Sequence, residues 1–148
     1  MLRFQLLLAV VWVGSLWTVG YLVAPTLFVT LHDRVLAGTI AGSMFATQAW
    51  VSVVCAALMF GVLRGEGDAR RRRSLNAIVL AMLACALTMR FGLQPMLAAL
   101  REAAGPGGVM DSALRTRFGV LHGASSLFYL VESVLGGWML YKLSAPPQ

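Results

Sequence analysis

Charged residues are scarce in this sequence. Only 12% of the 148 residues are Asp, Glu, Lys or Arg, whereas 59% are hydrophobic. A typical soluble domain contains about 25% charged residues, and a small domain leaves much of its surface in water. A soluble protein of this size could not hide so much apolar surface. The composition therefore excludes an ordinary soluble domain and favours a protein that lies in a lipid bilayer.

Charge is almost absent from four long stretches. Stretches 4–31 and 35–63 have no charged residue, 74–100 has Arg90 alone, and 118–141 has Glu132 alone. A helix of about 20 residues crosses the hydrocarbon core, and the segments of about ten alternating residues that mark a β-barrel are missing. We therefore predict an all-α polytopic membrane protein in which residues 1–148 form one four-helix transmembrane bundle. The predicted helices are 4–31, 35–63, 74–100 and 113–142.

The first stretch resembles the start of a signal peptide, because Arg3 precedes a run of leucines. Its apolar part is longer than the usual 7–15 residues or so, and no A-x-A site closes it. We therefore expect a retained helix. Pro25 is expected to disturb that helix near its outer end, since proline removes one backbone hydrogen bond.

Basic residues outside the apolar stretches fall mostly on one side. That side carries Arg3, Arg64, Arg70, Arg71, Arg72, Arg73 and Lys142, against Arg34, Arg101, Arg115 and Arg117 on the other. The positive-inside rule then places both termini in the cytoplasm. We expect a multi-pass protein of the bacterial inner (plasma) membrane, with the N-in/C-in orientation.

Four consecutive arginines, Arg70 to Arg73, lie in the expected loop between the second and third helices. The loop has no interleaved aromatic residues and follows directly on a membrane helix, so we expect no binding to nucleic acid. Cytoplasmic clusters of basic residues next to a membrane helix bind anionic lipid. Anionic lipid is therefore the expected partner of Arg70, Arg71, Arg72 and Arg73.

Small residues at four-residue spacing predict close helix packing. Gly38, Gly42 and Ala46 follow this spacing, and Gly119 and Gly123 repeat it. We expect these faces to hold helices together within the chain or between copies in a homo-oligomer. Asp111 or Ser112 is expected to cap the start of the fourth helix.

Polar residues align on the third and fourth helices. At 100° per residue, His122, Ser125, Tyr129 and Glu132 share one face of the fourth helix, and Arg90 and Gln94 share one face of the third. Because a lone charge at the bilayer centre costs about 3 kcal/mol or more, we predict an ion pair between Arg90 and Glu132. The expected intramembrane binding site comprises Arg90, Gln94, His122, Ser125, Tyr129 and Glu132.

An ionisable cluster inside a membrane indicates binding or a proton relay. The favoured hypothesis is small-molecule or ion binding and transport, coupled to protons through Glu132. The alternative is a structural or accessory subunit in which the polar pair fixes helix register.

Metal handling is a second alternative, because Met82, Met89 and Met96 recur every seven residues and thioethers suit Cu(I). His122, Met89 and Met96 are the candidate ligands, although methionine at helical spacing usually serves packing. We expect no cofactor. We also expect no enzyme, since Glu132 lies roughly 10 Å along the helix from Ser125. Cys55 and Cys85 lie in apolar stretches, which argues against a disulfide.

Three segments carry a family resemblance. They are Trp12–Tyr21 with the following Ala24-Pro25, Arg90–Met96, and Leu121–Ser133. They resemble the transmembrane-protein-205-like domain family, an uncharacterised group of four-helix membrane proteins that is distantly similar to copper-resistance membrane proteins. The resemblance spans nearly the whole chain. It implies a four-helix membrane fold and no catalytic residues.

Overall fold

A computed structural model describes residues 2–105 and 108–145. The chain forms four long helices, which we number α1 (Leu2–Thr30), α2 (Arg34–Leu63), α3 (Ala69–Ala103) and α4 (Ser112–Ser144). Each is long and apolar enough to cross a membrane, and the described residues contain no strand. The prediction of an all-α fold with four transmembrane-length helices is therefore confirmed.

Aspartate caps begin three of the four helices. The carboxylate of Asp33 accepts hydrogen bonds from the backbone N–H groups of Val35 and Leu36, and Asp68 accepts one from Arg70. Asp111 accepts one from Leu114 at 2.7 Å, so the predicted cap of α4 is confirmed. Each carboxylate satisfies an orphan donor of the first helical turn.

The cap at Asp68 starts α3 at Ala69, five residues before the predicted start. The prediction that the arginine run lies in a loop is therefore wrong, because Arg70 to Arg73 form the first turn of α3. Arg71 donates hydrogen bonds to the carbonyls of Leu143 and Ala145 and lies 3.7 Å from Glu66. It ties the end of α4 to the α2–α3 connection.

The four helices form an up-and-down bundle. α1 packs against α2 and α4, and α3 packs against the same two helices. Residues from both ends of the chain, such as Ala9 and Leu143, share one apolar cluster with Leu63 and Leu75. The described termini therefore lie at one end of the bundle, which we call the terminal end. The connections between α1 and α2 and between α3 and α4 lie at the opposite end, the distal end.

Two prolines break the regular α-helical pattern. A π-helical segment, Thr18–Val23, precedes Pro25 in α1, and a second, Thr88–Leu93, precedes Pro95 in α3. Proline lacks an N–H group and its ring crowds the preceding turn. A π turn, with hydrogen bonds from residue i to i+5, lets the helix continue. The expected disturbance at Pro25 is thus a wider turn, and α3 has an equivalent one.

The terminal half of the bundle is tightly packed. Its apolar cluster includes Trp12, Val79, Met82, Met139 and Leu143, all fully buried. Cys55 belongs to this cluster, and Cys85 on α3 is a second buried free cysteine. Gly136 permits close packing here, since a Cβ atom at this position would lie 2.9 Å from Cγ2 of Val13.

The predicted packing role of Gly119 and Gly123 does not hold within the chain. No described atom would lie within 4 Å of a Cβ atom added to either glycine, and both are exposed. Both lie on a face of α4 that the other helices leave uncovered. Self-association through this face stays a prediction.

A larger side chain at position 136 should destabilise the bundle, whereas a larger side chain at position 119 should not. We expect Gly136→Leu to lower the free energy of unfolding by about 1–3 kcal/mol, because it overpacks the contact with Val13. Gly119→Leu, on the same helix, should leave it unchanged or slightly raised, since glycine is a poor helix former. Thermal unfolding of both variants in detergent measures the difference. Equal loss in both variants would contradict the assigned packing.

Candidate functional site

The distal half of the bundle contains a large cleft. It has a volume of about 1190 Å³ and is lined by residues of all four helices. We call it the distal cleft. A second, small space of about 20 Å³ lies deeper in the bundle, and Glu132, Arg90 and Ser52 are among its lining residues. We call it the inner cavity.

Glu132 is the acidic group of the inner cavity and is only 2% exposed. Its carboxylate accepts a 3.4 Å hydrogen bond from the hydroxyl of Ser52 on α2. Ser52 in turn accepts a 2.9 Å hydrogen bond from the indole N–H of Trp12 on α1. Three helices therefore meet at a buried polar chain, in which the carboxylate is the final acceptor.

The predicted ion pair between Arg90 and Glu132 is not formed. Among residues 2–105 and 108–145, the one ion pair within 4.0 Å joins Arg71 and Glu66. The Arg90 guanidinium lies over the ring of Phe91 at 5.4 Å, and its Nε atom is buried without a hydrogen-bond partner in the described part of the chain. Arg90 belongs to the π segment. A wheel of 100° per residue assigns side chains to a face and does not give the distance between two of them, so it could not show that Arg90 and Glu132 stay apart.

Arg90 and Glu132 nevertheless line the same inner cavity. A volume of about 20 Å³ exceeds the roughly 10–15 Å³ that one water molecule requires. The cavity walls also carry the side chains of Gln48 and Gln94, so a water molecule would find several polar partners. The two charged groups can thus interact through a shared polar space instead of a direct contact.

The inner cavity lies near the middle of the membrane-spanning region. Glu132 lies about 4 Å from the midpoint between Arg117 and Lys142 on α4, at 1.5 Å per residue. On α2, the midpoint between Arg34 and Arg64 falls next to Gln48. The buried polar layer is therefore far from both membrane surfaces. It lies at the bilayer centre, where polar groups carry the largest cost.

Tyr129 connects the polar layer to the π segment of α1. Its hydroxyl donates a hydrogen bond to the backbone carbonyl of Leu16, and the backbone amide of Gly20 contacts the same hydroxyl. In a regular α-helix these two backbone groups bond to each other. The tyrosine hydroxyl is inserted between them, a recognised cause of helix irregularity. The absence of a side chain at Gly20 makes room for the ring.

Arg101 of α3 and Arg34 of α2 are the arginines that line the distal cleft. A Cβ atom added at Gly38 would lie 3.5 Å from the Nε atom of Arg101, and one at Gly42 would lie 3.4 Å from its Nη1 atom. These glycines had been predicted to bring helices together. The groups nearest them are side-chain atoms of Arg101 at ordinary van der Waals distance, while the ring centroid of Phe118 on α4 lies 5.9 Å from the guanidinium carbon.

The remaining predicted site residues divide between the two spaces. Gln94 and Tyr129 line both spaces, whereas His122 and Ser125 line the distal cleft alone. His122 is exposed and stacks on Phe118, with ring centroids 5.9 Å apart. The Ser125 hydroxyl donates to the backbone carbonyl of His122 and not to its imidazole. The predicted residues therefore form two layers along the bundle axis.

The candidate metal ligands do not converge. Met89 lines the distal cleft, but Met96 is 53% exposed and is not among the lining residues. Met82 is fully buried in the apolar cluster of the terminal half. Within the described ranges, no group of three or more His, Cys, Asp or Glu residues could hold a metal ion.

Sequence reasoning missed the contributions of α1 and α2. Gln48 donates a 3.2 Å hydrogen bond to Ser15, and Ser52 bonds to both Trp12 and Glu132. Gln48 and Ser52 lie four residues apart on one face of an otherwise apolar helix, and this spacing was the available signal. Both side chains are buried.

Four helices that are each long and apolar enough to cross a bilayer are the feature of a multi-pass membrane protein. Residues 7–106 match a family described as a domain of unknown function (DUF4149). The match covers more than half of the sequence, so the chain belongs to the DUF4149 family. Neither the curated proteins nor the solved structures contain a significant match. The comparisons therefore give a family and no activity, and they add no support for the resemblance to the transmembrane-protein-205-like family.

The contact between Gly20 and Tyr129 can be tested by substitution. A methyl group at position 20 would overlap the Tyr129 ring, so Gly20→Ala should lower the free energy of unfolding by about 1–3 kcal/mol. Gly14→Ala, on the same helix with no atom within 4 Å of the added Cβ, is the matched control and should cause no loss. Thermal unfolding in detergent measures both.

The same substitution in a Tyr129→Ala variant distinguishes the loss of this contact from a general effect of Gly20→Ala on α1. In a Tyr129→Ala background the ring is absent, so the further loss caused by Gly20→Ala should largely disappear. An undiminished loss in that background would show that Gly20 acts through some other contact.

Proposed function

We propose that this protein binds a small molecule or ion in the distal cleft and passes it, or a proton exchanged for it, through the polar layer at Glu132. One observation carries the proposal. The distal cleft and the inner cavity share four lining residues: Phe45, Met89, Gln94 and Tyr129. The two spaces therefore adjoin at these four side chains, and the inner one reaches a carboxylate in the middle of the bundle.

The terminal half provides the closed end of this route. On the terminal side of Glu132, the apolar cluster contains Trp12, Met82 and Met139, each with no exposed surface. A site that is open at one end and closed by packed side chains at the other is what alternating access requires of one state. Passage to the terminal end would need a second arrangement of the helices.

The rival function is a structural or accessory subunit. It predicts that the polar residues form a dry and fully paired contact between helices. The buried Arg90 Nε atom without a described partner, and the inner cavity beside it, favour binding over a scaffold. Copper handling has less support, since the candidate ligands Met89, Met96 and His122 do not share one wall of the cleft.

We further propose that the protein is not an enzyme. The three residue types of a hydrolase triad are present on α4, but Glu132 bonds to Ser52 and Ser125 bonds to a backbone carbonyl. A triad needs a base oriented by the third group and bonded to the nucleophile.

The bacterial inner membrane, with both termini in the cytoplasm, is the proposed location. The terminal end carries Arg3, Arg64, the four arginines that begin α3, and Lys142, so the positive-inside rule supports this orientation. Arg70 and Arg73 are exposed and are the members of the run best placed for anionic lipid. The resemblance to the transmembrane-protein-205-like family is compatible with this proposal and does not name a substrate.

Flux through reconstituted vesicles tests the function directly. Proton movement is followed with an enclosed pH-sensitive dye under an imposed gradient, with and without added metal cations, organic anions and amphiphiles. We expect at least one solute to evoke proton movement above empty vesicles. Glu132→Gln should abolish this movement, because the neutral amide keeps the size of the carboxyl group but cannot exchange a proton.

Glu102→Gln is the matched control, since Glu102 is exposed near the end of α3 and does not line the cleft. It should retain the flux. Failure of every solute to evoke proton movement above empty vesicles, in protein shown to be folded, would contradict the transport proposal. A flux that survives Glu132→Gln unchanged would remove Glu132 from the proposed route.

A further inference from the structure

Arg101 has an environment that calls for a partner of opposite charge. Its side chain is half-buried, lines the distal cleft, and lies between Phe118 on α4 and the glycine face of α2. Guanidinium groups stay charged in proteins, so Arg101 presents a positive charge to the inside of the cleft. In the described part of the chain Arg101 belongs to no ion pair.

Neighbouring acids do not neutralise this charge. Asp33 is the one acidic residue that lines the cleft, and its carboxylate is engaged by two backbone N–H groups at the start of α2. Arg34 also lines the cleft and adds a second positive charge near its mouth. The charge pattern therefore suits an anion and opposes a metal cation.

Most of the cleft wall is apolar. The apolar lining includes Phe28, Phe45, Met89, Leu97 and Leu130. A volume of about 1190 Å³ is at or above the upper end of the roughly 300–1,000 Å³ found for drug-sized ligands. A small inorganic anion would leave most of this surface without contact. The shape and the lining both indicate a ligand with a substantial apolar part.

The depth of Arg101 matches the head group of a membrane amphiphile. Its guanidinium lies along Gly38 and Gly42, four and eight residues from the start of α2 at Arg34. These positions correspond to about 6–12 Å of helix at 1.5 Å per residue. A hydrocarbon core of about 30 Å centred near Gln48 would begin at that level. An anionic head at Arg101 would thus sit at the membrane boundary, with its chain directed toward Tyr129.

From these observations we infer that the distal cleft binds an anionic amphiphile. Its single carboxylate or phosphate head group binds Arg101, and its apolar chain packs against the apolar residues of the cleft wall. The guanidinium fork matches two oxygens of such a head group. The Phe118 ring and the glycines of α2 lie next to the guanidinium and limit its orientations before the ligand binds. The inference rests on the proposed function and names the ligand class of that same cleft.

Binding of three probes by the purified protein tests the inference. Oleate supplies chain and charge, oleyl alcohol supplies the chain alone, and inorganic phosphate supplies an anion alone. Titrations followed by native mass spectrometry from a non-ionic detergent give the apparent affinity of each. We expect oleate to bind at least about tenfold more tightly than oleyl alcohol, as a charge-assisted hydrogen bond would provide. Inorganic phosphate should bind much more weakly than either.

Variants then assign the head group to Arg101. Arg101→Gln should weaken oleate binding by at least about tenfold and leave oleyl alcohol unchanged. Arg101→Lys keeps the charge without the fork and should lie in between, which keeps the test informative if the glutamine variant folds poorly. Arg117→Gln is the matched control, because Arg117 is exposed on α4 and does not line the cleft. It should bind oleate as the unchanged protein does.

A blocking variant separates this inference from the proposed function. Ser126 is exposed and lines the cleft, whereas Thr116 is exposed on the same helix outside it. Ser126→Trp should displace oleate and Thr116→Trp should not. If oleate and oleyl alcohol bind equally and both are lost in Ser126→Trp, the anionic class is wrong while binding in the cleft stands. If Ser126→Trp leaves binding of every probe unchanged, the cleft is not the binding site and both proposals fail for this ligand class.

Discussion

Backbone hydrogen bonding inside lipid is the constraint on which the distal half of this bundle depends. Pro25 and Pro95 each remove a donor from a helix long and apolar enough to cross a membrane, and lipid offers no hydrogen bond to a freed carbonyl. Both helices respond with a π-helical segment, and α1 also recruits the hydroxyl of Tyr129 into its backbone ladder. The distal cleft begins beside these segments, since Gly20, Tyr21 and Met89 line it. A local defect in two helices thus coincides with a space shared by all four.

The contrast between the two halves explains how one small bundle can be both stable and open. The terminal half buries a continuous apolar cluster and is tied together at its end by Arg71. Just beyond it the chain places a buried carboxylate, an arginine and two glutamines around a cavity of about 20 Å³. Packed side chains support the polar layer from one side only. The other side opens to a cleft whose charge and lining differ from those of the packed half.

The sequence predicted the helices well because charge-free runs of sufficient length have few alternatives in lipid. It predicted the start of α3 less well, since arginines look like loop residues until the cap at Asp68 is recognised. The face of α4 with Tyr129 and Glu132 was also predictable. The absence of a direct contact between Arg90 and Glu132 was not, because a helical wheel gives the face of a side chain and not its distance from another helix. The roles of Trp12 and Ser52 depend on contacts between distant segments, which spacing along one helix cannot predict.

Water access to single cysteines tests most directly whether the distal half is an open cleft above a dry, packed half. In a background in which Cys55 and Cys85 are replaced by alanine, cysteine is placed at Ser126, which is exposed and lines the cleft, or at Ala56, which is fully buried in the apolar cluster. A small water-soluble thiol reagent is added to the folded protein. We predict rapid labelling at position 126 and labelling at position 56 only after unfolding. Equally slow labelling at both positions would contradict an open distal cleft.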